Sequence, residues 1–152
     1  MAPEDGVLNV WVGPADRPSE AGAVTHDRDR GIRTYSFCHD DRTLVYLQDT
    51  EGDENWRLYA LDLASGESQL VTPGTDVHAM VLAHNRWHPT SMLVGLNADN
   101  PQLHDVYRYD LAAGTLEKVE ANPGYAAWLI DSDLRVRGGF AMTDDGGGVT
   151  LL

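Results

Sequence analysis

Cysteine, basic residues and long apolar runs are all scarce in this sequence of 152 residues. Cys38 is the single cysteine, so no disulfide can form within the chain. The 11 Lys and Arg residues face 24 Asp and Glu residues, and the net charge of -13 repels phosphate backbones and anionic lipid headgroups. We therefore expect neither nucleic acid nor a membrane as a partner.

Targeting signals are missing as well. The first six residues lack the basic and apolar regions of a signal peptide, and no apolar run reaches the roughly 18–20 residues of a membrane helix. These absences, together with the lone cysteine, lead us to expect a cytoplasmic protein. The length of the chain, with 42% hydrophobic residues, is enough for a single core and predicts one domain.

The chain does contain an internal repeat. Residues 58–66 and 106–114 carry the same phrase 48 positions apart: an alternating strand, an Asp-Leu pair and a short turn that closes on Gly. No stretch of ten residues keeps a helical period, so we predict an all-β protein. A period in the forties built from strands is typical of β-propeller blades.

The repeat divides residues 1–152 into about three four-stranded antiparallel blades of a partial propeller. We predict a half blade at 1–27, whole blades at 32–72 and 77–120, and an incomplete blade at 125–152. The predicted strands are 9–12, 23–25, 32–37, 44–48, 56–61, 68–72, 77–82, 92–97, 105–109, 116–120, 126–130, 134–142 and 149–152. Two repeated carboxylates, Asp62 and Asp110, are expected to accept backbone N–H bonds in the turns that follow them.

Several phrases of the chain resemble the N-terminal propeller of prolyl oligopeptidase family serine peptidases, in the branch of dipeptidyl aminopeptidases and acylaminoacyl peptidases. The resemblance covers residues 6–148 and rests on residues 9–12, 31–33, 46–56, 93–97, 103–108, 122–124 and 133–137. It implies that a separate α/β-hydrolase domain carries the catalytic Ser, Asp and His, while the propeller gates access and contributes to peptide selection. This sequence has no Gly-x-Ser-x-Gly nucleophile elbow, so we assign no catalytic residue and expect a non-catalytic module.

The candidate ligand-binding residues lie in two hairpins at corresponding positions of neighbouring blades. The first hairpin holds Asp49, Glu51, Asp53 and Glu54, and the second holds the pair His104 and Asp105. We expect the two loops to form one acidic rim that attracts a peptide or another ligand with an amine. The spacing of the first loop does not match an EF-hand, and we predict no metal site and no cofactor.

Two alternative functions stay open. The chain could be an enzyme of its own, a hydrolase or another acid–base catalyst, that uses His104, Asp105 and Glu54 in a cleft between subunits. It could also be a fragment without an independent role.

A homodimer is the expected assembly. A half blade at the start and an incomplete blade at the end would leave strand edges unpaired, which favours association between chains. We expect strand exchange, with residues 9–12 of one subunit close to residues 134–142 or 149–152 of the other. Simple edge-to-edge pairing is the rival arrangement.

Overall fold

The computed structural model describes all residues from Met1 to Leu152. It contains fifteen strands, one 3-10 turn at Pro18–Glu20 and no α-helix, so the all-β prediction is confirmed. No helix of the structure has the length and apolarity to cross a membrane. The strands are β1 (Ala2–Glu4), β2 (Val7–Asn9), β3 (Trp11–Val12), β4 (Gly22–Ala23), β5 (Thr34–Phe37), β6 (Thr43–Gln48), β7 (Arg57–Asp62), β8 (Ser68–Leu70), β9 (Ala79–His84), β10 (Ser91–Asn100), β11 (Leu103–Asp110), β12 (Thr115–Glu120), β13 (Ala127–Ile130), β14 (Val136–Met142) and β15 (Gly148–Leu151).

The strands form successive antiparallel sheets in chain order. Strands β5 to β8 and β9 to β12 make two four-stranded sheets, and β13 to β15 make a three-stranded sheet. The predicted four-stranded antiparallel blades are therefore confirmed, and the sheets stay open rather than closing into a ring. The register of β6 against β7 is regular from Thr43 opposite Asp62 to Gln48 opposite Arg57.

The N-terminal segment contains more strands than we predicted. Two strands, 9–12 and 23–25, were expected in this segment, whereas the structure has two hairpin pairs, β1 with β2 and β3 with β4. The additional strand β1 pairs Ala2 with Asn9. Its three residues are too few to show an alternation of apolar and polar side chains, and the pairing depends on the strand that follows.

Two strands begin later than predicted, and in each case a buried residue that was placed in the strand lies before it. Ile32 was placed in a strand, but β5 begins at Thr34, and the fully buried Ile32 donates its N–H to the backbone oxygen of Leu8 at 2.7 Å. Leu134 was also placed in a strand, yet it lies in a turn with a φ of 54°. Its side chain is fully buried, so packing holds this leucine in a left-handed conformation that an isolated chain would avoid.

The repeated turn has the structure that its sequence predicts. One carboxylate oxygen of Asp62 accepts the N–H groups of Ala64 and Ser65 at 2.8 and 3.2 Å. Asp110 accepts those of Ala112 and Ala113 at 2.9 Å each. The expected structural role of the two aspartates is confirmed.

The apolar core consists of three clusters, each between neighbouring sheets. Since side chains alternate along a strand, β6 and β10 bury both faces and separate the clusters. Ten buried residues lie between the two four-stranded sheets, five between the N-terminal strands and β5 to β8, and three between β9 to β12 and β13 to β15. The smallest cluster consists of Leu93, Val106 and Leu134.

Candidate functional site

The loop between β6 and β7 holds four of the predicted ligand-binding residues, and two of these are already paired. The side chain of Asp49 is only 1% exposed, and its Oδ2 lies 3.3 Å from Nε of Arg30. Asp53 accepts a hydrogen bond from Nη2 of Arg57 at 2.6 Å, which lowers the pKa of this carboxyl to about 2. Both carboxylates are therefore ion-paired with arginine, although Oδ2 of the buried Asp49 accepts no hydrogen bond.

The other two residues of this loop, Glu51 and Glu54, are exposed and form no ion pair. Their φ angles are 53° and 57°, in the left-handed region that favours glycine. For an ordinary L-residue this conformation costs about 1–2 kcal/mol. The loop thus holds two unpaired carboxylates in a strained backbone.

His104 and Asp105 do not form an acid–base pair. The carboxylate of the buried Asp105 accepts hydrogen bonds from Nζ of Lys118 at 2.6 Å and from the N–H of Asn122 at 2.7 Å. Burial raises the pKa of Asp105, but these hydrogen bonds outweigh it and the net shift is downward. The carboxylate is therefore bound to a lysine and the backbone, and the His104 ring turns to another partner.

That partner is His78, which precedes β9. Nδ1 of His78 and Nε2 of His104 are 3.0 Å apart, and the two rings meet edge to face with centroids 5.1 Å apart. Burial lowers the pKa of both rings, and the mutual repulsion of the two histidines adds to the effect at His104. The pair is thus held neutral near pH 7, with one N–H donating to the other ring.

The two predicted loops are not joined by direct polar contacts. Neither hydrogen bonds nor ion pairs connect the loop at 49–56 with the segment at 99–105. The hydrogen bonds of each loop stay within its own sheet or reach the segment that connects this sheet to the next. Arg57, for example, donates hydrogen bonds to Thr50 at the loop and to the backbone oxygen of Thr75.

Comparison with known proteins identifies two peptidases that are similar in sequence to this chain. No family model matches it. Dipeptidyl aminopeptidase BIII from Pseudoxanthomonas mexicana is 42% identical over 99% of this chain and 22% of its own length. Dipeptidyl peptidase family member 6 from Caenorhabditis elegans is 30% identical over 88% of this chain and 19% of its own length.

The resemblance to prolyl oligopeptidase family peptidases is therefore confirmed as homology to a part of these proteins. The chain spans about a fifth of the length of these two curated relatives. The crystal structure of TolB from Acinetobacter baumannii, a propeller protein, aligns with a TM-score of 0.53 and 16% identity over 86% of this chain and 31% of TolB. That likeness concerns the fold alone, and it agrees with a propeller-like module.

Homology to peptidases directs attention to a serine and a histidine that are not among the predicted site residues. Oγ of Ser36 lies 3.0 Å from Nε2 of His84, and the ring of His39 is tilted by 41° against His84 with centroids 5.2 Å apart. Nδ1 of His84 is buried without a hydrogen-bond partner, so no carboxylate orients this imidazole. The pair therefore lacks the acid of a catalytic triad.

A signal for this pair was present in the sequence. Ser36 and His84 are 48 positions apart, which is the period of the repeat, and they lie on the first strands of successive sheets. Equivalent positions on neighbouring inner strands are candidates for contact in a propeller.

Proposed function

We propose that this chain is a non-catalytic propeller module of a peptidase-family protein, and that it binds peptides through the loop between β6 and β7. Two observations support a non-catalytic role: the sequence has no nucleophile elbow, and the Ser36 and His84 pair has no acid partner. Relatives named as a dipeptidyl aminopeptidase and a dipeptidyl peptidase support a peptide as the ligand.

The observation that carries the proposal is the conformation of Glu51 and Glu54. Both are exposed, unpaired and left-handed, while the neighbouring carboxylates of Asp49 and Asp53 are neutralised by arginine. Backbone strain of this kind is concentrated at functional sites, where a residue is retained for its side chain. A pair of exposed carboxylates suits the ammonium group of a peptide.

Charge removal tests the proposal. An ammonium about 4 Å from a carboxylate gains on the order of 1 kcal/mol in water, so a Glu51→Gln, Glu54→Gln variant should bind alanyl-alanine amide about tenfold more weakly. The matched control is Glu117→Gln, Glu120→Gln, two exposed residues of β12 with the same loss of charge. Calorimetry at low and moderate salt measures both, with N-acetylated alanyl-alanine amide as the ligand that lacks the ammonium.

A glycine variant separates the strain from the charge. Replacing Glu51 and Glu54 by Gly relieves about 1–2 kcal/mol of strain per site, against about 0.5–1 kcal/mol for the greater freedom of glycine in the unfolded chain. We expect higher stability with the same loss of binding. Binding that is equal in the wild type and both loop variants would overturn the proposal.

Assembly is a second part of the proposed function. Strands β1 and β15 each have one free edge. Leu151 on β15 is 43% exposed, and Met142 on the neighbouring β14 is 61% exposed. Free edges and apolar side chains favour pairing with a second copy. We propose a homodimer through β15, which Leu151→Lys should dissociate while the control Leu70→Lys, 44% exposed on the outer edge of another sheet, does not. A monomeric wild type in light scattering at micromolar concentration would refute it.

A further inference from the structure

A cavity of about 270 Å³ lies between the inner strands β9 and β13, next to the His78 and His104 pair. Seven of its ten lining residues are apolar. The residues that matter for its chemistry are Met80, His104, Tyr125, Ala127 and Trp128. Glu51 and Glu54, the residues of the proposed peptide-binding loop, do not line this cavity.

A glycine in the middle of β10 explains why these side chains meet there. A Cβ at Gly95 would lie 2.8 Å from Cγ of Met80 and 3.3 Å from Cβ of His104. Because Gly95 has no side chain, Met80 and His104 can approach each other across the central strand. A glycine inside a strand often marks such a close approach.

The aromatic wall of the cavity is fixed by hydrogen bonds before any ligand arrives. Nε1 of Trp128 donates to the backbone oxygen of His104 at 2.8 Å, and the Tyr125 ring stands edge-on to the indole at 88° with centroids 5.2 Å apart. Asn122 fastens the segment, since its Oδ1 accepts the N–H of Tyr125 at 2.6 Å and its Nδ2 donates to the backbone oxygen of His104 at 3.1 Å. A rigid apolar wall loses little freedom on binding.

We propose that this cavity receives one aromatic side chain of a bound peptide. Its volume is below the roughly 300–1,000 Å³ of sites that enclose a whole drug-sized ligand, and it therefore suits a single side chain. The perpendicular faces of Tyr125 and Trp128 favour an aromatic ring over an aliphatic group of similar size. Met80 offers an adaptable thioether beside that ring.

This inference rests on the proposed peptide-binding function and adds a side-chain preference to it. The rim carboxylates Glu51 and Glu54 would attract the ammonium group of any peptide. The cavity would distinguish peptides by one side chain. The two contributions can therefore be measured separately.

The experiment compares alanyl-phenylalanine amide with alanyl-alanine amide on the full chain. We expect the phenylalanine peptide to bind about tenfold more tightly or better. Ala127→Phe places a ring in the cavity from an exposed position of β13 and should abolish that preference. The control Ala113→Phe adds the same ring at an exposed turn position outside the cavity and should keep it.

A spectroscopic readout does not depend on how the variants fold. In the wild type the phenylalanine peptide should shift the indole N–H resonance of Trp128, which a Trp128→Phe variant identifies. No such shift, equal affinity for the two peptides, or a preference that survives Ala127→Phe would overturn the cavity inference. Glu51→Gln, Glu54→Gln should weaken both peptides alike. If neither peptide binds the wild type, the proposed function fails together with the inference.

Discussion

Leu93→Ala should detach the C-terminal sheet while the rest of the protein stays folded. Leu93 is fully buried on β10 and belongs to the smallest core cluster, with Val106 and Leu134. Burial of such a side chain contributes about 1.5–3 kcal/mol, so three of them supply about 5–9 kcal/mol to the packing of this sheet. A buried Leu→Ala change costs about 3–5 kcal/mol, because a cavity remains. The variant therefore loses a third or more of what holds β13 to β15 in place.

A matched control lies three residues further along the same strand. Leu96 is also fully buried, but its side chain faces the opposite way, into the ten-residue cluster between the two four-stranded sheets. Leu96→Ala should lower the free energy of unfolding by a similar amount, but it should loosen the two four-stranded sheets, β5 to β12. The two variants thus differ in which part of the protein they loosen.

Hydrogen exchange with mass spectrometry measures this difference. In Leu93→Ala we expect rapid exchange in β13 and β14 with β6 and β7 still protected, and in Leu96→Ala faster exchange in β6, β7 and β10. Equal acceleration in β6 and β13 after Leu93→Ala would refute the view that each interface is a separate unit. So would full protection of β13 and β14 in that variant.

Two further predictions concern pH. His78 and His104 have folded pKa values below the ordinary 6.5, chiefly through burial, so their stabilisation is complete above about pH 6.5 and is lost as the pH falls through the lower folded values. The urea concentration at the midpoint of unfolding should therefore be lower at pH 5 than at pH 7.5, and this difference should be smaller in His78→Gln. An equal difference in both proteins would contradict this assignment. Asp53 and Asp62 have pKa values lowered to about 2 by hydrogen bonds from arginine, so their contribution is present above about pH 4 and is lost between about pH 4 and 2. Asp62→Asn should flatten the stability profile in that acid range alone, and an effect confined to neutral pH would contradict it.

Much of the fold follows from short stretches of sequence. The two copies of the Asp-Leu phrase specify a strand and its turn, because the aspartate accepts nearby N–H groups whatever the rest of the chain does. Gly66 and Gly114 close these turns with φ angles of 76° and 67°, which glycine adopts without strain. Alternation of apolar and polar residues then indicates where the strands lie along the chain.

The candidate site was predictable only in part. The charge of the loop that holds Glu51 and Glu54 is visible in the sequence, whereas the pairing of its carboxylates depends on residues from other segments. The partner of Asp49 is Arg30, from a connector before β5, and the partner of Asp105 is Lys118, on the next strand. Each of these ion pairs therefore joins side chains from two different segments of the chain.

Only the tertiary structure decided the contacts between sheets. The 48-residue repeat determined that the chain forms blades, since strand and turn preferences act over a few residues. It did not determine that His104 would meet His78, or that Leu134 would be held left-handed in a core. Each of these contacts needs two segments far apart in sequence, and packing between sheets supplies the energy that overrides local preference.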